Sequence, residues 1–159
     1  MLQPVVIDGI RTPIGKLNGA MKDIQPEEIA AFLLQKICER SHLDIRLLDA
    51  VILGQAKQSS DQPNIARLAA LMTKFPLEVQ AYTVHRQCGS GMQAVQNAAQ
   101  EIMCGYADFV LAGGIESMSN AQYYLREARR GYAVGNGILL DPNTCLLYTS
   151  PSPRDGATS

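Results

Sequence analysis

Short apolar, β-branched runs alternate with helical patterns along this chain, and that alternation restricts its fold more than any other feature. Residues 5–7, 50–53, 79–84 and 107–112 read as strands, the second stopped by Gly54 and the fourth by Gly113-Gly114. Pro26, Glu27 and Glu28 open a first helix, since Pro suits the first turn and acids suit its positive end. Its apolar spacing uses Ile29, Phe32, Leu33 and Ile37. Asn64 caps a second helix whose apolar face uses Ile65, Leu68, Ala69 and Met72. The third helix spans 89–104 and carries no charge before Glu101. Met92, Val95, Ala99, Ile102 and Met103 mark one face, and Ala94 and Ala98 widen it, so burial on most sides is expected. The order β-α-β-α-β-α-β predicts an α/β fold: a mostly parallel sheet layered α-β-α, with right-handed crossovers.

Residues 1–119 are read as this α/β core. From 120 to 144 the chain turns polar and glycine-rich, with a helical stretch expected at 122–130 and an Arg126, Arg129, Arg130 cluster. Residues 145–159 are rich in Ser, Pro and Thr without periodicity, and read as a non-native or disordered tail.

In such sheets chemistry gathers at the carboxyl ends of the strands. Cys88 sits there, between the third strand and the third helix, followed by Gly89-Ser90-Gly91. The first N–H groups of a helix and its dipole favour a thiolate, the nucleophilic form. Taken alone, the position suits a nucleophile and a structural cysteine about equally. Gly89 to Ala94 also matches G-x-G-x-x-A, but it follows the third strand, and Asp108 begins the next strand instead of ending it. Both points count against dinucleotide binding. His85 reads as a strand-end histidine more readily than as a base, and His42 as a helix-end cation. Gly113-Gly114-Ile115-Glu116-Ser117 suits either a plain glycine turn or close packing beside a site. The Arg cluster suits a solvated face or a contact to an anionic substrate.

A net charge of −1 gives no electrostatic case for nucleic acid or an anionic membrane. No apolar run reaches the roughly 18–20 residues of a membrane span, and no secretory signal pattern opens the chain. Four cysteines without C-x-x-C, and only two histidines, argue against zinc and for free thiols in the cytoplasm. Cys38 and Cys104 fall in helical patterns and are expected as small core residues.

Four ordered motifs, with a fifth similar stretch, resemble the thiolase family of acyl-CoA acetyltransferases. They are Arg11-Thr12-Pro13-Ile14-Gly15-Lys16, Gln62-Pro63-Asn64-Ile65-Ala66-Arg67, Arg86 to Ala94, and Ala112 to Ser119, with Gly131-Tyr132 to Asp141-Pro142-Asn143-Thr144 following. The resemblance covers an N-terminal half and implies that 120–144 begins a substrate-covering loop region. It implies that Cys88 attacks an acyl-CoA thioester and carries the acyl group, which a second acyl-CoA carbanion takes; the reverse is thiolytic cleavage. It also implies that the Cys88 N–H serves an oxyanion hole, that CoA thioesters are substrates with no separate cofactor or metal, and that the whole protein is a homodimer or homotetramer. Position 85 departs from the family, which commonly has Asn there. The family's activating His, second Cys and fifth strand match no segment here, so the chain alone is expected to be inactive. The alternatives are another condensing enzyme of the same superfamily or a nucleotide-binding module.

Overall fold

The structure, a computed structural model, describes residues 2–143. The expected tail at 145–159 lies outside the described residues. Residues up to Asn120 form one compact unit, and a second begins at Ala121.

The first unit is built on three parallel strands, β1 (Ala50–Gly54), β2 (Gln80–Val84) and β3 (Val110–Gly114), ordered β2-β1-β3. Ala50 pairs with Gln80 on one side and Val110 on the other, and the register runs through to Gly54, Val84 and Gly114. β1 is buried along its whole length, as a central parallel strand with both faces covered requires. Val51 and Leu53 meet helices α1 (Pro26–Ser41) and α2 (Ile65–Leu71) on one face, while Ile52 meets α3 (Ser90–Cys104) on the other. This is the layered α-β-α arrangement that the alternation predicts.

The helix ends follow local chemistry. Glu28 Oε2 accepts the Gln25 N–H at 2.9 Å, closing a capping box ahead of Pro26. Asn64 Oδ1 accepts the Arg67 N–H at 3.1 Å, while its Nδ2 donates to the Ala81 carbonyl at 3.1 Å and ties α2 to β2. The faces, however, are rotated from the predicted ones. Ala30, Ala31, Leu34 and Cys38 form the buried stripe of α1, against Ala66, Ala69 and Ala70 of α2, and Phe32 is exposed beneath the Lys36 ammonium. Small side chains let the two helices approach, and the aromatic is left outside.

Three further expectations need correction. Residues 5–7 are not a strand: they join no ladder, and Val5, Val6 and Ile7 are exposed. An extended segment becomes a strand only with a partner, and β-propensity does not supply one. The fourth predicted strand starts later than residue 107, because the Asp49 carboxylate takes the N–H groups of Asp108 (2.7 Å) and Phe109 (3.0 Å). Helix α3 is not buried on most sides: only Ser90, Ala94 and Ala98 are buried, and Met92, Val95 and Met103 are exposed.

In the second unit, β4 (Tyr124–Leu125) and β5 (Leu139–Leu140) pair antiparallel. The helix expected at 122–130 is therefore absent. A stretch this short is a marginal helix without tertiary support, and Tyr124 and Leu125 pair with Leu140 and Leu139 instead.

Candidate active site

At the carboxyl ends of the three strands the chain makes one tight junction. β2 ends at Val84, five residues form a turn, and α3 starts at Ser90. Gln87 lies in the left-handed region at φ 48°, one of four such non-glycine residues among those described. Cys88 follows it and is exposed. The Ser90 side chain, only 4% exposed, stitches this turn: its Oγ accepts the Arg86 N–H at 2.8 Å and donates to the Gln87 carbonyl at 2.6 Å. The N–H groups of Gly89 and Ser90 donate to the carbonyls of Arg86 and Gln87, each at 3.0 Å. The Cys88 N–H makes no hydrogen bond among the described residues, so one donor is left open at the head of α3.

Three glycines make this junction possible. A Cβ on Gly54 would lie 2.2 Å from the Ser90 carbonyl carbon, so the first turn of α3 rests directly on the end of β1. A Cβ on Gly114 would lie 3.2 Å from the Gly91 Cα and 3.4 Å from the Gly54 carbonyl oxygen. Of the two readings of Gly113-Gly114, close packing is the one the structure holds, with Gly114 against Gly91 at the start of α3. The neighbouring loop is fixed as well: Glu116 Oε2 accepts the Ala56 N–H at 2.7 Å, and its two oxygens share the Lys57 N–H at 3.2 Å. Beside it the Gln55 side chain is buried with its Oε1 unpartnered.

The other candidates lie elsewhere. His85 is exposed on the turn and forms no hydrogen bond or ion pair among the described residues. His42 is the left-handed C-cap of α1. Cys38 is buried, and desolvation together with the Glu39 charge pushes its thiol up from the ordinary range. Cys104, expected in the core, is exposed at the last turn of α3, about 20 Å along the axis from the Cys88 end. The row of small residues Ala94 and Ala98 takes the sheet-facing side and turns Cys104 away from it. Arg126, Arg129 and Arg130 are exposed and form no ion pair among the described residues. No described helix is long and apolar enough to cross a membrane. Two recesses, one at the amino ends of the strands between Arg46 and Tyr106 and one between Cys38 and Lys74, do not include Cys88.

The profile of the family described as "Thiolase, N-terminal domain" matches residues 4–147, most of the chain. The chain belongs to the thiolase family. A Staphylococcus epidermidis protein named "Probable acetyl-CoA acyltransferase" is 40% identical over 141 residues, covering 89% of this chain and 36% of the relative. A 3-oxoadipyl-CoA/3-oxo-5,6-dehydrosuberyl-CoA thiolase of Escherichia coli K12 is 39% identical over 135 residues, covering 84% and 34%. The crystal structure of the Bacillus anthracis acetyl-CoA acetyltransferase superposes with a TM-score of 0.79 at 42% identity, over 82% of this chain and 33% of that one. The chain thus spans about a third of the length of the relatives it matches.

Proposed function

We propose that Cys88 is the acyl-accepting nucleophile of a thiolase acting on coenzyme A thioesters. The observation that carries this is an exposed thiol at the head of α3 whose own backbone N–H is left without a partner among the described residues. The Cys88 thiol first gives its proton to solvent; the thiolate sulfur then attacks the thioester carbonyl, a new S–C bond forms, and the negative charge passes to the carbonyl oxygen, where the Cys88 N–H donates to it. The old C–S bond then breaks and coenzyme A leaves as a thiolate, which takes up a proton. In the whole protein the acyl group passes to the carbanion of a second acyl-CoA, giving a 3-ketoacyl-CoA; run backwards, free coenzyme A cleaves that product.

The 159-residue chain alone acylates slowly and does not turn over. No base contacts the Cys88 sulfur among the described residues, and nucleophile and base act as a unit. Homodimeric or homotetrameric assembly and a cytoplasmic setting belong to the same reading. What supports them is the match to the thiolase family over residues 4–147. Mixing the chain with acetyl-CoA tests the chemistry: one equivalent of coenzyme A is released and then no more, and Cys88→Ala abolishes the release. Continued turnover, or release unchanged in the alanine variant, would overturn it.

A further inference from the structure

We propose that Ser90 is the positioning residue that sets the reactivity of Cys88, through its hold on the Gln87 turn; this rests on the acyl-transfer reading above. A non-glycine residue stays in the left-handed region only when its surroundings over-determine it. Gln87, at φ 48°, has such surroundings. The Ser90 hydroxyl bridges the turn around it, taking the Arg86 N–H at 2.8 Å and giving its proton to the Gln87 carbonyl at 2.6 Å. At 4% exposure the hydroxyl is shielded from competing water. The Ser90 backbone itself rests on Gly54, where a Cβ would lie 2.2 Å from the Ser90 carbonyl carbon. A second tie runs outside the turn, where Arg86 Nη1 donates to Gln93 Oε1 on α3. Cys88 lies inside this clamp, between Gln87 and Ser90, and contributes nothing to it. Its sulfur and N–H are therefore held at the amino end of α3 while remaining free.

Serine at the first position of a helix commonly bonds to nearby backbone, so packing alone does not explain the residue. The hydroxyl is what matters, and threonine keeps it. The test is alkylation of the full chain by iodoacetamide at neutral pH, followed peptide by peptide at Cys38, Cys88 and Cys104. In the unaltered chain Cys88 reacts faster than Cys104, and Cys38 is protected. Equal rates at Cys88 and Cys104 would overturn the nucleophile reading itself, and the positioning role with it. Ser90→Ala slows Cys88 about tenfold and leaves Cys104 unchanged, while Ser90→Thr restores the rate. A fast Cys88 that is indifferent to Ser90→Ala, or a threonine variant as slow as the alanine one, overturns the positioning role alone. If alanine unfolds the chain, seen as labelling of Cys38, the Arg86 amide of the unaltered protein decides. The clamp predicts slow hydrogen exchange there, and exchange at the rate of an unstructured amide contradicts it.

Discussion

At the scale of single residues, what was legible depended on how local the chemistry is. Asn64 could be read as a cap because its acceptor and the Arg67 N–H are three residues apart. The Ser90 clamp could not, because its partners become neighbours only once Gln87 turns left-handed; a serine two residues beyond a strand-end cysteine was the available signal. Asp44 shows the same locality in a titrating group. The Arg46 guanidinium and the Arg46 N–H, both on its own short turn, hold its carboxyl at about 2. A lowered folded value means the cap is complete above the ordinary 3.8 and is lost as pH falls through about 2. Carbon-detected NMR of the Asp44 carboxyl should give a midpoint near 2, returning toward 3.8 in Arg46→Ala. A midpoint already at the ordinary value in the unaltered chain would show that the pair does not form.

At the scale of elements, the sequence shows which segments are helices and strands better than it shows what they touch. The stop signal at Gly54 was readable, but its purpose was not: the α3 start lies on it, and a side-chain carbon there would fall 2.2 Å from the Ser90 carbonyl carbon. Gly54→Ala is therefore expected to cost about 2–3 kcal/mol by overpacking. Gly105, the left-handed C-cap of α3 at φ 75°, has open space around it. Gly105→Ala should cost about 1 kcal/mol, from backbone strain alone. Urea unfolding of the two variants checks the order, and an equal or reversed ranking would remove the case for a glycine seat under the first turn of α3. Residues 5–7 failed as a strand for the complementary reason. Their composition favours extension, but pairing depends on a neighbour, and none of the three parallel strands takes that place.

At the scale of the whole molecule, the alternation of strands and helices was enough to give the α-β-α layers and to bring Cys88 and Gly113-Gly114 to one edge of the sheet. The extent of burial was not legible, because a helix that is apolar around most of its girth does not say which sides are covered. Here Ala94 and Ala98 are covered while Met92, Val95 and Met103 are open, and Val5, Val6 and Ile7 are open too. That much exposed apolar surface predicts that the 159-residue chain binds a hydrophobic dye and associates as its concentration rises. A monomeric species with no dye binding would contradict this. The central claim is narrower and concerns which sulfur carries the acyl group. Its most direct test is peptide mapping of the chain after brief exposure to acetyl-CoA. The acetyl group is expected on Cys88, with Cys38 and the likewise exposed Cys104 unmodified; acetyl spread evenly over Cys88 and Cys104, or absent from Cys88, would contradict the account.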